Sequence, residues 1–430
     1  MPSRADITYF GAGPALLPTA VLENAAKALL NYNDTGLGIA EHSHRSQYAA
    51  DIINGAKADL ANYLGIPDNY EVLFMQGGGS GEFSATVYNL VGAWVTRKKA
   101  EILKQSGAQS EEEANQDELV SALKKAVDTE LKLDYLVTGG WSLKAYQEAG
   151  RILGPEYANL VTDSRTVNQG KFGKIPDEST WKLSKNPAMV YYCDNETVDG
   201  VEFPNFPDAL GPDSNGVRPI VVADMSSNIL SRRIPVENFS AIFFGAQKNL
   251  GSTGVTVVII KKDLLPPACP QPSPALLRKL GLPVPPIIFS YETIAKNNSL
   301  YNTLSIFDVF IAGQVLKKLL VTFPDKVDGQ QAVANQKAEL IYKALEAHPD
   351  VYRIVPDKSV RSRMNICFRV TKGGDTDSAE ANFLKSATAQ GLTGLKGHRS
   401  VGGIRASNYN SIPPEGAQKL AEFIIKFAQS

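Results

Sequence analysis

The chain has 430 residues, 43% of them hydrophobic and 21% charged, with a formal net charge of -1. That is the make-up of a folded globular protein long enough for two or three domains, so disorder is excluded as its default state. The near-neutral charge argues against a nucleic-acid scaffold or a polybasic membrane binder, both of which carry clustered positive excess, and leaves a small-molecule ligand as the expectation. The N-terminus, MPSRADITYFGAGPALLP, lacks an uninterrupted apolar stretch, and no later run approaches the ~20 apolar residues of a membrane helix. Cys193, Cys269 and Cys367 are too far apart for C-x-x-C pairing, which predicts a reducing, cytoplasmic setting and no metal site.

Residues 1–18 read as an arm. Thr19 is placed to cap a helix in which Val21, Leu22, Ala25, Leu29 and Leu30 recur at helical spacing. From residue 71 to about 260, short β-prone runs follow one another: EVLFM, DYLVTGG, AMVYYC, PIVVADM, AIFFGAQ and VTVVII. Buried runs of this kind, without strict alternation, predict an α/β fold with a mostly parallel sheet covered by helices on both faces. Residues 97–133 are charged and helix-prone and are expected to form a solvated surface excursion. Residues 265–286 carry eight prolines, too many for a core element, and are taken as the linker that ends a large domain at 286. Within 287–430 a long helix (TLSIFDVFIAGQVLKKLLVTF), a strand (MNICFRV), a helix (SAEANFLKSATAQ) and a closing amphipathic helix (PEGAQKLAEFIIKFAQ) predict a smaller α/β domain.

In open α/β sheets ligands collect at the carboxyl ends of the strands, so the residues delivered there are the candidates. EVLFM delivers QGGGSGEF, a glycine turn into a helix whose N–H groups at Gly77, Gly78, Gly79 and Ser80 can hold a phosphate. The other ends present Trp141, the loop NETVDG, Asp224 and Lys248. A buried lysine is costly unless paired or used. An amine, a carboxylate, a flat aromatic and a phosphate loop together answer the needs of pyridoxal 5'-phosphate: a Schiff base, a partner for the ring nitrogen and a stacking face. Taken singly, Asp224 could equally cap the helix of SSNIL, and Trp141 could be ordinary core. A Walker A loop requires the lysine after its glycines, whereas Lys248 precedes them, and GGGSGEF lacks the G-x-G-x-x-G spacing of a dinucleotide site. Two cationic clusters, His42, His44 and Arg45 in EHSHRS and His398, Arg399 and Arg405 in LKGHRSVGGIRAS, suit a dianionic substrate or are solvated loops.

Along nearly its whole length, in GAGPALLP, SHRS, LFMQGGGSGEFSA, NETVDG, ADMSSNILSR, GAQKNLGSTG, YNTLSIF and LKGHRSVGGIRASNYN, the sequence resembles the phosphoserine aminotransferases. These are fold-type I pyridoxal-phosphate enzymes with a seven-stranded, mostly parallel sheet. The resemblance implies reversible, ping-pong transfer of the amino group of L-glutamate to 3-phosphohydroxypyruvate, giving O-phospho-L-serine and 2-oxoglutarate for serine biosynthesis. It implies that Lys248 forms the Schiff base, the internal aldimine, and shuttles the proton. Asp224 is then the pyridinium partner, Trp141 the stacking ring, and Thr197 the neighbour of the phenolic oxygen. Gly79, Ser80 and Gln247 match phosphate contacts. Asn302 and Thr303 match positions that reach the cofactor phosphate of the other subunit, which implies an obligate homodimer with shared sites. His44, Arg45, His398 and Arg399 match the pocket for the substrate's phosphate or side-chain carboxylate, and Arg405 the α-carboxylate arginine. Some members carry Arg where Ser80 stands, and both excursions exceed those of compact bacterial members. Another fold-type I enzyme, such as an aminotransferase for small neutral amino acids or a desulfurase, which would need a mobile cysteine such as Cys193, and a catalytically silent cofactor-binding protein are the competing readings.

Overall fold

A computed structural model describes residues 2–107 and 115–430. The part of the charged segment from 108 to 114 lies outside the described residues. In chain order the strands are β1 (Thr8–Tyr9), β2 (Tyr70–Met75), β3 (Leu133–Val137), β4 (Ala158–Asp163), β5 (Met189–Cys193), β6 (Asn195–Glu196), β7 (Val201–Glu202), β8 (Val221–Asp224), β9 (Ala241–Gly245), β10 (Thr256–Lys261), β11 (Tyr352–Ile354), β12 (Asn365–Val370), β13 (Leu392–Thr393) and β14 (Ile404–Ser407). The helices are α1 (Thr19–Leu30), α2 (Gln47–Leu64), α3 (Gly78–Ser106), α4 (Gln116–Glu130), α5 (Gly140–Leu153), α6 (Pro274–Lys279), α7 (Tyr291–Lys296), α8 (Ile306–Thr322), α9 (Val327–Glu346), α10 (Thr376–Ala389) and α11 (Pro414–Gln429).

Seven strands form one sheet in the order β2-β10-β9-β8-β5-β3-β4. Only β10 runs antiparallel to its neighbours, pairing Thr256 with Met75 on one side and with Gly245 on the other. The expected mostly parallel sheet is present. Its strands alternate between two apolar cores: Val257 and Ile259 of β10 face one, and Val258 and Ile260 the other. This period-two division explains why the sequence runs are continuously apolar, since both faces are buried. Helices α1, α2 and α8 cover the first face, and α3 to α7 cover the second.

A third core lies in the C-terminal part, where β11, β12 and β14 form an antiparallel sheet packed on α9, α10 and α11. Phe10 belongs to this core and β1 pairs in parallel with β13, so the N-terminal arm is fastened to the C-terminal part. No helix among the described residues is long and apolar enough to cross a membrane.

Several local expectations differ from the structure. Pro18 precedes the first turn of α1, while the Thr19 hydroxyl accepts from Arg4 Nε at 3.0 Å. The buried stripe of α1 is Val21, Ala25 and Ala28, whereas Leu29 and Leu30 are 42% and 82% exposed. The charged segment is not wholly a surface excursion. Its first residues continue α3, and α4 buries Leu119, Leu123, Ala126 and Val127 in the second core, with its charges on the outer face. Within the proline-rich stretch Cys269, Leu277, Leu280 and Leu282 are buried in that same core, and the apolar side chains of α7 and α8 pack on the large sheet's two faces. The third core therefore draws its first helix from α9, well past residue 286.

Candidate active site

The order of the sheet puts a switch between β3 and β5: β4 was laid down outside β3, and β8 and β9 on the other side of β5. Such a point opens a crevice at the carboxyl ends of the strands. A cavity of about 400 Å³ opens there, within the ~300–1,000 Å³ typical of small-ligand clefts. It is lined by Gly77, Gly78, Gly79 and Ser80 after β2, Trp141 after β3, and Asn195 and Thr197 after β5. Asp224 at the end of β8, Gln247 and Lys248 after β9, and His398 and Arg405 from the C-terminal part complete it. Larger clefts of about 760 Å³ and about 1,120 Å³ lie elsewhere, but no buried lysine lines either, and chemistry outweighs size in choosing the site.

Lys248 is 91% removed from solvent, being 9% exposed, and its Nζ donates to Thr197 Oγ1 at 2.7 Å. Burial holds its pKa down at about 8, against the pull of Asp224, which favours the ammonium. Asp224 Oδ1 accepts from the Ser226 amide at 2.9 Å. Burial pushes the Asp224 pKa up, while the Ser226 hydrogen bonds and the charge on Lys248 oppose that rise. The Ser226 hydroxyl also accepts from Gly245 N at 3.1 Å, tying the ends of β8 and β9 together behind the carboxylate.

The glycine turn is built for a close approach. Gly77 has φ +112, and a Cβ there would lie 3.3 Å from Gly81 Cα and 3.4 Å from the Phe289 ring, so a side chain would be both strained and tightly packed. The turn starts α3, whose first N–H groups have no intrahelical acceptor and face the positive end of the helix dipole outward. Trp141 is half-buried, and its Nε1 is buried with no hydrogen-bond partner. Arg405 Nη1 donates to the Thr197 carbonyl at 3.2 Å, linking the C-terminal part to the Lys248 neighbourhood. His398 has its pKa lowered, first by burial and then by Arg405, Lys144 and Arg399, so the cavity mouth is electropositive.

Eleven of the residues singled out from the sequence thus converge: Gly77, Gly78, Gly79, Ser80, Trp141, Thr197, Asp224, Gln247, Lys248, His398 and Arg405. Six do not line the cavity of this chain. His42, His44 and Arg45 lie in the segment before α2, and Arg399 is exposed beside His398. Thr303 is exposed, and Asn302 Nδ2 donates to Gln76 Oε1 at 2.5 Å, next to the glycine turn. Sequence reasoning passed over Ala12, Gly13, Phe83, Ser226 and Ser227, which also line the cavity. Four of these stand inside the quoted motifs GAGP and ADMSS and Phe83 inside QGGGSGEF, where proximity to an assigned residue was the available signal.

This donor set fits pyridoxal phosphate: a lysine amine with a depressed pKa, a carboxylate at a neighbouring strand end, an unsatisfied helix start and a flat ring in one cavity. Cys193 also lines the cavity, but its thiol donates to Asn195 O at 3.3 Å and burial raises its pKa well above the usual range, the reverse of a catalytic thiol.

The family model described as aminotransferase class-V matches residues 7–136 and 120–420. The chain is 43% identical over 429 residues to the phosphoserine aminotransferase of Saccharomyces cerevisiae, covering 99% of this chain and 98% of that one. Its fold matches the phosphoserine aminotransferase of Bacillus circulans subsp. alkalophilus with a TM-score of 0.78 and 34% identity, over 98% of each chain. It also matches the PLP-bound phosphoserine aminotransferase of Trichomonas vaginalis with a TM-score of 0.78 and 32% identity, over 97% of this chain and 99% of the other.

Proposed function

The chain belongs to the class-V aminotransferases and within them to the phosphoserine aminotransferases, and from that premise we propose how its residues divide the work. The enzyme is a pyridoxal-phosphate-dependent transaminase. It transfers the amino group of L-glutamate reversibly to 3-phosphohydroxypyruvate, giving O-phospho-L-serine and 2-oxoglutarate. When bound, the cofactor supplies the carbonyl that takes up the amine and the electron sink that lowers the barrier to loss of the α-proton.

Lys248 binds the cofactor through Nζ and moves the α-proton at that same atom, a role that requires a neutral amine. The observation that carries this reading is the Lys248 amine held near pKa about 8 in a cavity it shares with Asp224. Asp224 holds a proton on the ring nitrogen. The backbone of Gly79 and Ser80, with Gln247, receives the phosphate at the start of α3. Trp141 would stack on the ring, and the Thr197 hydroxyl accepts from Lys248 Nζ.

Arg405 takes the substrate α-carboxylate, its guanidinium presenting a fork that matches a carboxylate. His398, Arg399, His44 and Arg45 receive the second anion, which is the phosphate of phosphoserine or the side-chain carboxylate of glutamate in turn. His44, Arg45, Arg399, Asn302 and Thr303 stand outside the cavity of their own chain, which supports a homodimer whose partner completes each site. Neither nucleic acid nor a membrane is part of this reading. Three buried thiols without disulfides support a cytoplasmic setting. A coupled assay tests the substrate: phosphoserine with 2-oxoglutarate should react, and unphosphorylated serine, alanine and cysteine should not. If serine matched phosphoserine, the phosphate specificity would fail.

A further inference from the structure

Between Asn195 and Gly200 the chain carries two carboxylates whose work the transamination chemistry does not assign. Glu196 is fully buried and Asp199 is 5% exposed. Glu196 Oε2 accepts from Trp141 N at 2.9 Å, and Oε1 accepts from Ser142 N at 2.9 Å. Asp199 Oδ2 accepts from Gly140 N at 2.8 Å. Three consecutive N–H groups at the start of α5 are thus satisfied from a loop some 55 residues away in sequence, while the cap residue Gly139 offers no side chain of its own.

Gly139 is part of the same arrangement. A Cβ at residue 139 would fall 2.4 Å from both Cγ and Cδ of Glu196, so the glutamate lies flat on a backbone that only glycine leaves bare. Thr197 sits between the two acids, with its hydroxyl on Lys248 Nζ and its carbonyl on Arg405. The loop therefore holds, through its side chains, the helix turn that carries Trp141, and through Thr197 the amine and the arginine.

We propose that Glu196 and Asp199 are positioning residues: together with Gly139 they clamp the start of α5 and so fix Trp141 and Thr197 about the cavity in the orientation the reaction needs. The inference rests on the reading of this cavity as the cofactor cavity. Burying two carboxylates is costly, and burial does push their pKa values up, that of Glu196 to about 7 and that of Asp199 to about 6. The three amides and the positive end of α5 oppose that rise.

The test compares holoenzyme variants by the visible circular dichroism of the bound cofactor, which reports the asymmetry of its surroundings, and by kcat and KM. Glu196→Ala and Gly139→Ala are expected to lose most of the dichroism and to lower kcat on the order of ten- to a hundredfold, as misplacement without lost binding does. KM for glutamate should move less than about threefold. Glu196→Gln, which keeps the shape and one acceptor, should recover much of both signals. Asp199→Asn serves where an alanine variant fails to fold. In the apoprotein, amide exchange at Gly140, Trp141 and Ser142 should quicken by at least about tenfold in Glu196→Ala. Faster exchange with unchanged dichroism and kcat would overturn the positioning role. Absence of cofactor dichroism in the unsubstituted protein would overturn the reading of the cavity itself.

Discussion

At Lys248, the proposed Schiff-base amine, burial brings the pKa down to about 8, and Asp224 limits how far it falls. The folded pKa of about 8 lies below the ordinary 10.5, so between those values the unfolded chain binds more protons than the apoprotein. Apoprotein stability should therefore rise with pH through that window, by about 3 kcal/mol in full, and Lys248→Met should remove the rise in urea titrations. At Asp224, substitution by asparagine should lower kcat by about a hundredfold or more while leaving far-ultraviolet dichroism unchanged, because it removes charge and keeps shape. These two residues were legible in the sequence because a lysine and an aspartate at the ends of apolar runs contradict their surroundings. Glu196 and Asp199 were not, since a carboxylate in a loop reads as solvated until the fold brings a helix start to it.

The strands of the large sheet were legible as continuous β-branched and aromatic runs. The exception was β4, an edge strand whose Leu160 is 37% exposed and whose polar neighbours give it a weak apolar signal. Helices α2 and α9 were missed because small or polar side chains interrupt their buried stripes, Ala49 and Ala56 in α2 and Gln330, Ala334, Lys337, Ala338 and Ala344 in α9. In α4 the charge concealed the packing. Because Leu123 is fully buried in the second core, Leu123→Ala should cost about 2–5 kcal/mol in urea unfolding, where a residue of a solvated excursion would cost under about 0.5 kcal/mol.

Across the whole molecule, the large-sheet part and the C-terminal part are joined by a buried ion pair. Arg363 donates through Nη2 to Glu202 Oε1 at 2.7 Å, and Arg232 lies on the same carboxylate. Burial alone would raise the Glu202 pKa, but the two arginines bring it down to about 2. Its contribution is complete above about 4.5 and is lost as pH falls through about 2. Acid unfolding should therefore lose on the order of 3 kcal/mol in that window, and Glu202→Gln should flatten the slope there. The proposed shared-site homodimer makes a separate prediction. Lys248→Ala and Arg45→Ala proteins, each weak alone, should regain about a quarter of full activity after mixing and subunit exchange, from the one intact site of each mixed dimer. No gain in verified mixed dimers would place Arg45 outside the partner's site. Quaternary contributions of this kind leave no periodicity in a single sequence, so EHSHRS pointed to binding without saying on which chain, and YNT was placed on the other subunit by the resemblance alone.

The proposed route carries amino nitrogen from glutamate to a phosphorylated keto acid through Lys248. Glutamate bearing an isotopically labelled amino group, supplied with 3-phosphohydroxypyruvate, should yield labelled O-phospho-L-serine with the wild-type enzyme and none above background with Lys248→Ala. Labelled serine formed equally fast from hydroxypyruvate, or full transfer by the Lys248→Ala protein, would contradict it.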